Sequence, residues 1–431
     1  MFSNFKVLRN KNLSLLITSE STSLFGTLFL NIALSLYVLK MTGSSGDFAS
    51  VLALGVLPHI ILGSVAGILA DKFDKKSWII IMDILRGAFC LFLFFYCLSG
   101  TLSMPIIYFT VLFISMCDIL FAPVFVSVLP TIVPKEDLVD ANSISRTLNE
   151  TMKILAPLLG TLVYTWFGLG PIFLVNALTF VVSAVSIYLL KFPPKQSVEA
   201  ISKKITIISD ISIGFRVIFG DARLTSIVSN AFLTHTFLYP FLFVGVPYII
   251  INVLLGSNTD YGVVESLATI GSLMAIFIVP LTKKFGIANN IGLGLLGMLI
   301  PVLLLMFLGN PWFIEILKGN SLYTVSYFSL INFILFLSFS FYVVYFASYY
   351  QSQVPKEVYG RFIASVIIFN GIGKVIGYKV VGLLFETNNL IYPVIFLLTG
   401  MTLKLLVHIP FMIISKRLEG NKAIQIRDAE A

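Results

Sequence analysis

Apolar residues along this chain fall into twelve long runs separated by short polar turns. They are approximately Leu13–Leu39, Phe48–Ala70, Trp78–Ser99, Met104–Val126, Ile144–Phe167, Pro171–Leu190, Leu224–Val253, Tyr261–Leu281, Ile287–Gly309, Tyr323–Tyr350, Phe362–Phe385 and Leu390–Ile414. A helix needs roughly 20 apolar residues to cross the hydrocarbon layer of a bilayer, and each run is near that length. The pattern therefore predicts an all-α integral membrane protein with twelve transmembrane helices. The first run is too long for a signal-peptide core and lacks a small-residue cleavage site, so it is read as a span.

The polar turns repeat. Val-Pro-Lys-Glu occurs at Val133–Glu136 and again at Val354–Glu357, about half the chain apart. Ala70-Asp71-Lys72-Phe73 closes the second run, and Thr282-Lys283-Lys284-Phe285 closes the eighth. Two matches at similar offset predict a parallel six-plus-six repeat, the plan of a secondary transporter. The longest polar connection, Lys191–Arg223, separates the halves. The expected organisation is a six-helix bundle over 1–190, a cytoplasmic linker over 191–223, a second six-helix bundle over 224–415 and a cytoplasmic tail over 416–431. Within the linker, Ile201, Ile205, Ile208, Phe215 and Ile218 recur near helical spacing. That stretch reads either as a helix lying in the membrane interface or as a solvated connection.

Composition agrees with lipid as the solvent: 58% of residues are apolar, 12% are charged and the mean hydropathy is +0.97. No loop is long enough to bury a soluble catalytic core. Basic residues alternate from turn to turn. Lys6, Arg9, Lys11, Lys72, Lys75, Lys76, Lys135, Arg146, Lys283, Lys284, Lys356, Arg361, Lys416 and Arg417 lie on one side, whereas the other holds Lys40 and Lys318. The positive-inside rule then places both termini in the cytoplasm. This topology accounts for the net charge of +8, and a nucleic-acid partner is not called for. The cysteines Cys90, Cys97 and Cys117 all lie inside runs and read as small core residues. No metal-ligand spacing, catalytic His/Asp cluster or nucleotide-binding loop is present, so neither a cofactor, an enzyme nor ATP-driven transport is expected.

The loop Gly67-Ile-Leu-Ala-Asp71-Lys72-Phe-Asp74-Lys75-Lys76 is the sharpest local pattern. A small residue ends a helix, an acid follows, and a basic cluster turns the chain back into the membrane. This segment resembles the loop between spans 2 and 3 of the major facilitator superfamily. Thr42-Gly43-Ser44, Leu57-Pro58, Asp83-Ile-Leu-Arg86-Gly, Leu129-Pro130, Ala141-Asn142-Ser143, Asp221-Ala-Arg223-Leu224 and Gly360-Arg361 extend the likeness to its macrolide-efflux and siderophore-exporter branch. The resemblance implies the major facilitator fold and alternating access by rocking of two bundles. It also implies a cytoplasmic latch made of Gly67, Asp71, Lys72, Lys75 and Lys76, facing Gly360 and Arg361. Two positions depart from the branch: Ser19-Glu20 stand where it has a glycine and a glutamine, and Ala156-Pro157 replace a Gly-Pro pair.

Ionisable side chains inside a span are functional candidates, because lipid burial costs several kcal/mol without a partner. Glu20 lies among Ser19, Ser21, Thr22 and Ser23 and shares a helical face with Asn31. Asp118 sits mid-way along the fourth run. By the resemblance, helices 1 and 4 of each half line the cavity, which makes Glu20 and Asp118 candidates for binding protons or a cationic substrate. Glu150 and Lys153 are one turn apart and read either as a structural pair, with Arg146 nearby, or as a proton site. Lys374 and Lys404 are deep enough to neutralise Asp118 or Glu150, or to attract an anionic part of a substrate. Lys379 reads as snorkelling to the interface. His235 is either a core histidine or a ligand contact. Tyr327, Tyr342, Tyr345 and Tyr349 would form an apolar wall bearing hydroxyls, or simply pack. The resulting expectation is a monomeric, proton-coupled antiporter of a bacterial cytoplasmic membrane, exporting an amphipathic small molecule. Siderophore export, nutrient uptake and a transporter-like receptor are the alternatives.

Overall fold

The computed structural model describes residues 10–72, 74–133, 138–191 and 207–430. The described secondary structure is helical: α1 (Lys11–Thr42), α2 (Ser45–Lys72), α3 (Lys75–Ser99), α4 (Met104–Ile132), α5 (Leu138–Phe167), α6 (Leu169–Leu189), α7 (Ile207–Gly220), α8 (Ala222–Val253), α9 (Asn258–Thr282), α10 (Ile287–Leu305), α11 (Pro311–Leu317), α12 (Ser321–Gln353), α13 (Lys356–Phe385) and α14 (Ile391–Glu430). Eleven of the described helices are long and apolar enough to cross a membrane. Helix α5 stands outside that set; it has 30 residues but carries Asp140, Arg146, Glu150 and Lys153 within its first sixteen.

Polar caps set the helix ends. The Asn10 side chain accepts from the amides of Asn12 and Leu13 at 3.0 and 3.3 Å, starting α1. Gly43, with φ +62°, closes it in the left-handed region that favours glycine. Asp74 starts α3 by accepting from the Ser77 amide at 2.9 Å. Asp221 separates α7 from α8, accepting from the Arg223 amide at 2.7 Å and pairing with its guanidinium at 3.0 Å. Burial alone would raise the Asp221 carboxyl, but the hydrogen bonds from the Arg223 side chain and from the Arg223 and Leu224 amides hold it below the ordinary range. Its stabilising effect is therefore fully present above about pH 4, the unfolded value, and fades as acid titrates the folded carboxyl. Asp221→Ala is expected to cost about 1 kcal/mol, the usual loss at an N-cap. A thermal unfolding scan at neutral pH checks this, and the difference from wild type should shrink at pH 3.

Contacts divide the chain into two compact units. The first takes its described residues from Met1–Gly43, Leu54–Thr206 and Asn258–Ser266, the second from Ser44–Ala53, Ile207–Ser257 and Leu267–Ala431. Each unit thus draws a short stretch from the other half of the chain. In the first, Ser266 donates to the Ile154 carbonyl at 3.3 Å. In the second, Ser45 donates to the Gly382 carbonyl at 3.0 Å.

In the first unit α6 packs against α1 and α3. Leu16, Ile79, Met82, Val124, Val128 and Ile187 form a buried cluster, while Phe92, Phe95 and Val181 stay exposed. Outward apolar side chains are what a lipid solvent permits. In the second unit α10 packs on α12, α8 on α14 and α7 on α13. The linker helix expected from the sequence is present as α7, and 201–206 lie outside the described residues. Phe215 and Phe219 meet Phe369 of α13 edge-on at 6.2 and 6.3 Å, and Ser365 donates to the Ile211 carbonyl at 3.0 Å. Helix α13 receives part of this face, and Phe219 stays largely exposed.

Helix α8 is irregular. Wide turns with five-residue hydrogen bonding run over Thr234–Leu238, Phe241–Gly245 and Ile249–Val253, around Pro240 and Pro247. Proline has no amide hydrogen to give, so it interrupts the ordinary ladder. Wide turns of this kind are frequent at functional sites.

Candidate functional site

The strongest polar cluster of the first unit centres on α3. Asp83 and Arg86 lie one turn apart and are 0% and 1% exposed. Arg86 Nη2 donates to Asp83 Oδ1 at 2.5 Å, and its Nη1 donates to Asp118 Oδ1 of α4 at 2.6 Å. Ser183 of α6 donates to Asp83 Oδ2 at 2.5 Å, and Ser19 of α1 lies 2.7 Å from Ser183 Oγ. The guanidinium is also sandwiched by Phe121 and Phe180, with ring centroids at 4.5 and 4.4 Å. Four helices are tied together by this chain of bonds. Two carboxylates share one guanidinium, which leaves one negative charge in excess. The Asp118 side chain keeps 27% of its surface accessible, whereas Asp83 keeps none. His59 of α2 is an electrostatic neighbour of Asp118.

Glu20 has different partners. Its Oε2 accepts from Ser145 at 2.5 Å and its Oε1 from Asn149 at 2.8 Å, both on α5. Asn31 is exposed and does not join this group; its carbonyl accepts from Ser35. The side chains of Arg146 and Glu150 lie outside the described residues. Glu265 was passed over in the sequence, although an acid in the eighth apolar run was visible there. It is half-buried on α9, beside the Ser266 that bonds to α5.

In the second unit the buried charge is positive. Lys404 is fully buried; its Nζ donates to Thr234 Oγ1 at 2.5 Å and lies 4.9 Å from the centre of the Tyr342 ring. Lys374 Nζ lies 5.4 Å from the Tyr239 ring centre and 5.9 Å from that of Tyr378. His235 meets Tyr239 edge-on at 4.8 Å. Its Nδ1 lies 2.8 Å from the Ala231 carbonyl; a carbonyl accepts, so Nδ1 carries the hydrogen and Nε2 is left as an acceptor. Among the described residues no acid pairs with either lysine. Asp118, for which the sequence offered no partner on its own helix, is bonded by Arg86 of α3.

The tyrosines of α12 are mostly packing groups. Tyr327 donates to the Leu304 carbonyl at 2.7 Å, Tyr345 to that of Val279 at 2.9 Å, and Tyr342 to Asn230 Oδ1 at 3.3 Å. Each joins α12 to another helix, so a continuous hydroxyl-bearing wall does not form. An open groove of about 550 Å³ near Leu303, Met306, Phe307 and Ile391 presents no charged group.

Some of the residues expected to form the latch are described. Gly67, Asp71 and Lys72 fall on α2, with side chains outside the described residues. Lys75 opens α3. Lys76 donates from Nζ to the carbonyls of Tyr188 and Leu190 at 2.6 and 2.8 Å, which caps the last turn of α6 within its own unit. Gly360 is exposed on α13, and beside it the Arg361 carbonyl lies under Gly214 of α7.

A family model described as the Major Facilitator Superfamily matches residues 16–378. The chain belongs to this superfamily. Over 179 residues it is 26% identical to macrolide efflux protein A of Streptococcus pyogenes, covering 40% of this chain and 43% of that one. It is 28% identical over 182 residues to the MFS-type transporter YfiS of Bacillus subtilis, covering 42% of each. The match thus spans less than half the length of these relatives. Among solved structures, a bacterial homologue of the iron transporter ferroportin in its inward-facing state superposes with a TM-score of 0.71, 16% identity and coverage of 94% of this chain and 99% of that one. The nucleoside transporter NupG gives 0.70, 14% identity and coverage of 94% and 99%. At such identities the likeness shows the fold alone. The protein is a multi-pass membrane transporter of the superfamily, and these relatives are transporters, not enzymes.

Proposed function

We propose that this transporter exports an amphipathic small molecule by alternating access, in exchange for protons. It works as a monomer of twelve spans, with α5 as the twelfth, in a bacterial cytoplasmic membrane with both termini inside. The efflux proteins among its relatives support the direction. The observation that carries the coupling is the Asp83–Arg86–Asp118 cluster, with its one excess negative charge and its one accessible carboxylate. Burying an uncompensated charge in a span costs several kcal/mol, so adding one proton at Asp118 removes the excess. A proton that enters there alters the bond between α3 and α4 and so favours one arrangement of the unit over another. Glu20, held by neutral donors on both oxygens, anchors α1 to α5.

Uptake of a fluorescent amphipathic probe into proteoliposomes tests this reading. In Asp118→Asn, accumulation driven by a proton gradient is expected to fall at least about tenfold, the equivalent of about 1.4 kcal/mol. Gradient-free exchange of labelled for unlabelled substrate should persist. Glu20→Gln keeps hydrogen-bonding capacity toward Ser145 and Asn149 and should retain gradient-driven transport. Full gradient-driven accumulation in Asp118→Asn would overturn the assignment.

A further inference from the structure

The second unit buries the Lys404 ammonium, half-buries that of Lys374, and places no described acid in an ion pair with either. An isolated buried charge is costly, and three donors belong to each ammonium. Lys404 uses one of its donors on Thr234. Lys374 makes no hydrogen bond among the described residues and rests against the faces of Tyr239 and Tyr378. Tyr378, whose ring Lys374 faces, is 3% exposed. We propose that this site binds the carboxylate of the transported molecule, with Lys374 as the direct contact and the sealed Lys404 as a fixed positive charge behind it.

Three further observations converge on the same place. Thr234 and His235, which touch or neighbour the two lysines, stand in the first wide turn of α8, where the altered ladder re-aims side chains toward α13 and α14. Aromatic rings continue from the lysines: Tyr239 lies 5.6 Å from Phe243 and 5.7 Å from Phe339, and Phe339 lies 6.2 Å from Tyr342. Such a wall suits an apolar or aromatic body. Finally, an amine-bearing molecule would meet two like charges here, a juxtaposition that costs rather than favours binding. The cargo class is thus an amphipathic carboxylate. This inference rests on the transport reading given above and specifies its substrate.

Two probes with one fluorophore separate the possibilities: dansylglycine carries a carboxylate, dansylcadaverine an ammonium. Purified protein in nanodiscs of zwitterionic lipid should bind dansylglycine at least about tenfold more tightly, a comparison that needs no variant. Lys374→Gln should bring the two affinities to parity, and Lys374→Arg should preserve the preference. No binding of dansylglycine, equal affinities in the wild type, or an unchanged affinity in monodisperse Lys374→Gln protein would overturn the site. Flux of dansylglycine in proteoliposomes then distinguishes the two readings. Lys374-dependent binding without gradient-driven flux keeps the site and sinks transport. Flux without Lys374-dependent binding keeps transport and sinks the site.

Discussion

Arg86→Leu is expected to remove about 3–5 kcal/mol of stability, the usual result of deleting one partner of a buried ion cluster. The side chain is 1% exposed and joins two carboxylates, while two phenylalanine rings cover its faces. Without it, Asp83, itself 0% exposed, is left with the Ser183 hydroxyl as its side-chain donor. Repulsion between Asp83 and Asp118 then adds to the desolvation cost. The readout is the yield of monodisperse protein together with the midpoint of thermal unfolding. The triple variant Asp83→Asn, Arg86→Leu, Asp118→Asn should recover most of the lost midpoint, because it removes the uncompensated charges as well as their partner. A single Arg86→Leu protein as stable as wild type would show that the cluster contributes nothing to the fold.

Gly377→Leu should be comparably damaging for a steric reason. A Cβ at this position would collide with the backbone carbonyl of Thr236 and would stand 2.6 Å from Pro240 Cγ. Backbone cannot yield as a side-chain tip can, so α13 must move away from α8. Overpacking of a closed interface costs about 1–3 kcal/mol and occasionally more, and leucine at a backbone contact belongs at the upper end. Gly373, one turn earlier, faces Thr236 Oγ1 at 2.6 Å, so the displaced helix loses a second close contact. Lys374 lies between these two glycines and would be drawn away from Tyr239. Loss of the dansylglycine preference alongside the drop in unfolding midpoint is therefore expected. Gly360 is the control: nothing lies within 4 Å of its Cβ position, so Gly360→Ala should not destabilise and should raise stability by about 0.5–1 kcal/mol through helix propensity.

Several elements of the site were legible in the order of residues. A charge in an apolar run is conspicuous, so Glu20, Asp118, His235, Lys374 and Lys404 stood out without any knowledge of packing. Their partners did not. Asp83 and Arg86 were visible as part of a family pattern, but their bonds reach Asp118 in α4 and Ser183 in α6, and no local spacing encodes such contacts. The same holds for Lys76, whose ammonium caps α6, a contact that nothing in its loop announces. Glu265 obeys the same rule, as an acid in the eighth apolar run; what the sequence could not show is that the neighbouring Ser266 reaches the Ile154 carbonyl of α5.

The sequence by itself determined the apolar solvent, the long helices and the superfamily, because lipid demands long apolar helices and each turn must carry its own polar signals. It also disclosed which helices carry charge. Only the tertiary structure decided how those charges are arranged: a carboxylate excess around Arg86 in the first unit, and two lysines among tyrosines in the second. A buried charge is defined by what stands within a few ångströms of it, and here those neighbours come from helices tens to hundreds of residues away.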